Sequence, residues 1–94
     1  MTTIVTVKAM SEMSRILGWS EREVEFEGTT LGDLLQSLIA LDGQSLYGLL
    51  VQEGKPRRDY IISVNGEVVT SLETALTSGD RVITMEGMRL LQGG

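Results

Sequence analysis

Two glycines, Gly93 and Gly94, close the sequence behind the run Arg89-Leu90-Leu91-Gln92. Glycine makes up roughly 7% of an average protein, so a terminal pair arises by chance about once in two hundred chains. A diglycine terminus has a chemical use. Its carboxylate is slim, no side chain stands beside it, and its backbone reaches conformations closed to other residues. Such an end threads a narrow channel and presents its carboxylate to ATP in another protein. On that reading Gly94 is the reacting residue, and Gly93 must stay slim beside it. The alternative is a frayed, glycine-ended tail, which is common at chain ends.

Little else in the composition is equipped for catalysis. The 94 residues include neither cysteine nor histidine. That removes disulfides, thiol catalysis, the usual zinc ligands and the commonest general base. Carboxylates and hydroxyls remain, in a chain too small to enclose them in a deep pocket. An independent enzyme is therefore not expected. The formal net charge of -5 disfavours nucleic acid and suits a basic-surfaced protein partner. No apolar run reaches the length of a membrane span, and Met1-Thr2-Thr3-Ile4-Val5 enters a strand pattern directly. The expected location is cytoplasmic, with no membrane partner.

Three surface features are candidates for contact with other molecules. Met85, Met88, Arg89, Leu90 and Leu91 place apolar groups and one cation at and beyond the last strand, where they have no evident packing role and fit a partner-binding anchor. Lys55-Pro56-Arg57-Arg58 is a basic loop that could touch a nucleotide or an acidic partner, or simply be solvated. Glu23, Glu25 and Glu27 form an acidic row that reads as a docking stripe or as a solvated face guarding a sheet edge.

The elements that must position these groups follow from periodicity. Thr3 to Lys8 alternates and reads as a strand. Met10, Met13, Ile16 and Leu17 lie at helical spacing before Gly18. Glu21 to Glu27 is a strand with Val24 and Phe26 inward. Thr30 caps the clearest helix, whose stripe is Leu31, Leu34, Leu35, Leu38 and Ile39, with Asp42-Gly43 as its expected end. Ser45 to Val51 fits a short helical turn, and Gln52 to Asp59 a polar loop. Tyr60 to Val64 and Glu67 to Val69 flank an Asn65-Gly66 hairpin. Arg81 to Met85 is the last strand. One amphipathic helix on one face of a mixed sheet is a two-layer α+β fold, with the first and last strands side by side in the middle.

From end to end the chain resembles the ubiquitin-like, β-grasp sulfur carriers, including the small subunit of molybdopterin synthase and the sulfur carriers of thiamine biosynthesis. The motifs are Val7-Lys8 with Ser14-Arg15-Ile16-Leu17-Gly18, then Thr30-Leu31-Gly32-Asp33-Leu34-Leu35, Ser63-Val64-Asn65-Gly66-Glu67, Leu76-Thr77-Ser78-Gly79-Asp80-Arg81-Val82, and Gly93-Gly94. The stretch Glu86 to Gln92 lacks the two prolines usual in molybdopterin-synthase small subunits, and Arg89 to Gly94 looks more like the tail of ubiquitin or an archaeal ubiquitin-like modifier. The resemblance implies a β-grasp domain over 1–85 and a flexible diglycine tail over 86–94. It implies that an adenylating activating enzyme uses ATP on the Gly94 carboxylate, that a thiocarboxylate follows, and that the sulfur passes to a biosynthetic enzyme such as a molybdopterin synthase large subunit. The carrier itself would bind no cofactor and no metal. A modifier joined to lysines through Gly94, and a non-catalytic β-grasp interaction module, are the two other readings.

Overall fold

Alternation at the start of the chain produces β1, Thr2–Ala9, in which Thr3, Val5, Val7 and Ala9 are buried and the residues between them are more exposed. The elements after it are α1 (Glu12–Leu17), β2 (Glu21–Glu27), α2 (Leu31–Ser37), α3 (Leu46–Leu50), β3 (Val51–Gln52), β4 (Lys55–Pro56), β5 (Tyr60–Val64), β6 (Glu67–Val69) and β7 (Arg81–Glu86). This is a computed structural model, and it describes residues 1–86. The expectations for Met88, Arg89, Leu90, Leu91, Gly93 and Gly94, and for a flexible tail, lie outside the described residues. β7 takes in Glu86, one residue past Met85, where the sequence suggests the domain should end.

Five strands form one mixed sheet in the order β2-β1-β7-β5-β6. β1 and β7 are parallel, with Val7 beside Val82, and the other neighbours are antiparallel. The first and last strands thus lie together inside the sheet, as expected from the order of elements. α2 packs its leucines on one face. Leu31, Leu34 and Leu35 are fully buried, against a core that includes Val5, Val7, Phe26, Ile62 and Val82. Val24, also expected among those partners, packs against this core half-buried.

The helix is shorter than its leucine stripe. It stops at Ser37, and Leu38 is already extended at φ -87° and ψ 116°. Leu38 keeps its side chain in the core, while its carbonyl accepts the Leu46 N–H at 2.7 Å. Ile39 forms a bridge with Ser45 and is 53% exposed, so it does not pack on the sheet as expected. Asp42-Gly43 ends no helix. It forms the tip of the loop that Ala40 closes on Gln44 at 2.7 Å. The expected loop at 52–59 contains a small correction of its own, the two-residue strands β3 and β4. Among the described residues no helix is long and apolar enough to cross a membrane.

The start of α2 is held by a reciprocal cap. Thr30 Oγ1 accepts the Asp33 N–H at 3.2 Å, while Asp33 Oδ2 accepts the N–H groups of Thr29 at 3.0 Å and Thr30 at 3.2 Å. Gly28 makes room for this carboxylate. Its φ is +121°, and a β-carbon there would collide with the Asp33 side chain. The N–H of Thr29, and then the side chain and N–H of Thr30, hold the Asp33 carboxyl below the ordinary aspartate value of 3.8. Because the folded state favours the carboxylate, this stabilisation is complete above pH 3.8 and disappears as pH falls through the lower folded-state value. Asp33→Asn is expected to flatten the acid limb of the stability curve below that pH, read by urea denaturation at stepped pH. An unchanged acid limb would remove Asp33 from this role.

Candidate functional site

The last strand is fixed in place by two turns that lock onto each other. Asn65 and Gly66 both have positive φ, 53° and 92°, as a tight two-residue hairpin demands. The Asn65 side chain then leaves its own hairpin. Its Nδ2 donates to Asp80 Oδ1 at 3.0 Å, and its Oδ1 accepts the Arg81 N–H at 2.9 Å. Asp80 Oδ2 accepts the Thr77 N–H at 2.8 Å, and the Asp80 carbonyl accepts the Thr6 N–H at 3.0 Å. The Asn-Gly and Gly-Asp motifs therefore register β7 between β1 and β5.

Alternation along β7 buries Val82 and Thr84 and turns Ile83 and Met85 to the face opposite α2. Met85 stands opposite Ile61, and Ile83 opposite Ser63. All four are half-buried, and Val68, opposite Ser63 on the far side, is 67% exposed. Met85, expected as an anchor, thus belongs to an apolar strip with Ile61 and Ile83. The sequence reading missed those two isoleucines, although a signal for them existed. The pairs Ile61-Ile62 and Val82-Ile83 put adjacent apolar residues into strands of period two, so one of each pair must face outward.

Glu86, the last described residue, stands opposite Tyr60. The basic loop comes immediately before Tyr60. Arg57 is occupied locally, pairing with Asp59 at 3.3 Å and lying 5.8 Å from the Tyr60 ring centroid. Arg58 and Lys55 are exposed. Met85 and the basic loop therefore gather at one end of the sheet, and residues 87–94 follow from that end in the sequence.

A mixed sheet with a parallel inner pair, one capped helix across its face and a last strand that leads into a diglycine-ended sequence defines a ubiquitin-like, β-grasp protein. The chain belongs to the ThiS family, which it matches over residues 7–83. Among solved structures it is similar to the HVO 2177 protein of Haloferax volcanii, at 25% identity and TM-score 0.76, covering 93% of this chain and 85% of that one. It is similar to a candidate molybdopterin converting factor, subunit 1, from Pyrococcus furiosus, at 26% identity and TM-score 0.70, covering 92% and 99%. Small archaeal modifier protein 1 from Methanosarcina acetivorans shares the fold, at 20% identity and TM-score 0.75, covering 95% and 97%. No curated protein matches the sequence significantly.

Proposed function

We propose that the chain is a sulfur carrier that works through the carboxylate of Gly94. A carboxylate oxygen of Gly94 attacks the α-phosphate of ATP held by an activating enzyme, and pyrophosphate leaves. Hydrosulfide then attacks the acyl-adenylate carbonyl carbon, the bond to the AMP oxygen breaks, and AMP leaves, giving a thiocarboxylate on Gly94. A biosynthetic enzyme takes that sulfur. The carrier supplies docking and reach, and its partners supply catalysis, in keeping with a chain that has no histidine or cysteine. The observation that carries this reading is the ThiS-family match over residues 7–83 in a sequence that ends Gly93-Gly94. Molybdopterin-type chemistry, with a synthase large subunit as acceptor, is favoured by the likeness to the Pyrococcus furiosus protein over nearly its whole length. Met85 with Ile61 and Ile83, together with Met88, Arg89, Leu90 and Leu91, would anchor the partners.

The fold shared with small archaeal modifier protein 1 supports a second reading, conjugation through Gly94 to lysines of other proteins. Both readings need the same activation, and the product separates them. With its activating enzyme, ATP and a sulfur source, the carrier is expected to gain the mass of one oxygen replaced by sulfur, mapped by fragmentation to Gly94. Recovery of branched Gly94–lysine adducts from cells, without the thiocarboxylate, would favour the modifier instead. Neither product would leave a β-grasp interaction module.

A further inference from the structure

We propose that the open edge of β2 receives a basic, extended segment of a partner protein, which joins the sheet as one more strand. This proposal does not rest on the carrier reading. Among the described residues β2 ends the strand order and pairs only with β1, and at seven residues it is much longer than β6 at the opposite edge. Two bonds fix which of its backbone groups are free. The Gly28 N–H donates to the Met1 carbonyl at 2.7 Å, and the Ala9 N–H donates to the Ser20 carbonyl at 2.8 Å. Both belong to the register that pairs Thr2 with Glu27 and Lys8 with Glu21. Antiparallel ladders alternate bonded and non-bonded pairs. Arg22, Val24 and Phe26 therefore turn their backbone groups toward β1. The N–H and C=O groups of Glu21, Glu23, Glu25 and Glu27 face outward, where no other strand pairs with them among the described residues.

The side chains beside this edge define what would fit. On the face opposite α2 stand the four glutamates, all exposed. Glu21 pairs with Arg81 at 3.8 Å, and Glu27 pairs with the N-terminal ammonium at 3.4 Å. Glu23 and Glu25 have no ion pair among the described residues. On the α2 side, Trp19, Val24, Leu38 and Ile39 line a groove of about 340 Å³. Ile39, turned out of the helix stripe, is 53% exposed there. Arg22 lies 4.9 Å from the Trp19 ring centroid, and Arg22, Glu23 and Glu25 border the same groove. An added strand alternates its side chains between these two faces. The matching segment carries apolar residues at every second position, into the groove, with lysine or arginine between them, opposite Glu23 and Glu25. A second copy of this chain fits poorly. Paired antiparallel through the same outward groups, two β2 edges set glutamate against glutamate, and like charges directly opposite destabilise a ladder.

The full chain should be titrated with a capped heptapeptide alternating lysine and valine. Trp19, the single tryptophan, reports on the groove by fluorescence, and backbone amide NMR reports on the edge. Expected results are a saturable Trp19 change, shifted Glu23 and Glu25 amides, and slower hydrogen exchange at both. A peptide of the same composition with lysines and valines in separate blocks should bind at least about tenfold more weakly, since it loses the alternation. Substituting both Glu23→Lys and Glu25→Lys should weaken the alternating peptide by about tenfold or more and transfer preference to a glutamate–valine peptide. Ile39→Ser, at an exposed position, provides a second test and should weaken binding by roughly fivefold or more through lost apolar burial. Equal binding of blocked and alternating peptides, unmoved Glu23 and Glu25 amides, or dimerisation of the chain through β2 would each overturn the proposal.

Discussion

Deleting Gly94, or adding one residue after it, is expected to lower conversion by the activating enzyme by about a hundredfold or more, with the thermal unfolding curve unchanged. One residue moves the terminal carboxylate by roughly 3.3 Å along an extended chain. In-line attack on a phosphate tolerates far less, since a misplacement of about 1 Å can cost on the order of a hundredfold in rate. Stability should not change, because among the described residues the sheet and α2 already share a continuous apolar core running from Val5 to Val82. Replacing Gly93 by Val should resemble the deletion, through crowding of the channel that the terminus must enter. Rates would be read by pyrophosphate release and by mass analysis of the product. A shortened chain that is still activated and still supports its pathway would make Gly93-Gly94 incidental, and the interaction-module reading would then lead.

How far the sequence could be read depended on how local each signal was. Asn65-Gly66 and the Thr30 N-cap state their structures within a few residues, and both are found as expected, whereas the return bonds from Asp33 to the Thr29 and Thr30 N–H groups are an addition the structure makes. The hairpin joining β3 to β4 uses the same backbone device, with Glu53 at φ 55° and Gly54 at φ 79°. It was hidden because glutamate is not a usual first residue of such a turn. The end of α2 was hidden for a different reason. Leu38 and Ile39 continue the helical spacing, but Leu38 bonds to Leu46 and Ile39 bridges to Ser45, contacts that no local pattern announces. Tertiary pairing overrode periodicity there. The parallel meeting of β1 and β7 joins residues more than seventy positions apart, and motif order along the whole chain pointed to it where no local feature could. The candidate site divides in the same way. Met85 was legible as an apolar residue at the end of the last strand, whereas Ile61 and Ile83 become its neighbours only once β5 and β7 are in register.

The leucine stripe yields the sharpest test of the fold, because its members look alike in sequence and differ in structure. Leu35→Ala is expected to cost about 2 to 5 kcal/mol, since Leu35 is fully buried between α2 and the sheet and its removal leaves a cavity. A chain of this length has roughly 5 to 14 kcal/mol in all, so the substitution removes a large share. At about 4 to 8 °C per kcal/mol, the melting temperature should fall by roughly 8 to 40 °C. Ile39→Ala should cost under about 1 kcal/mol, as expected for an exposed side chain outside the helix. Urea denaturation of the two variants measures the difference directly, and an unchanged m-value would show that the unfolded states are comparable. Equal losses at Leu35 and Ile39 would mean that the helix continues past Ser37 and buries both. Ile39 would then be withdrawn from the groove beside β2, and the proposed strand-docking site would lose its apolar wall along with the helix boundary.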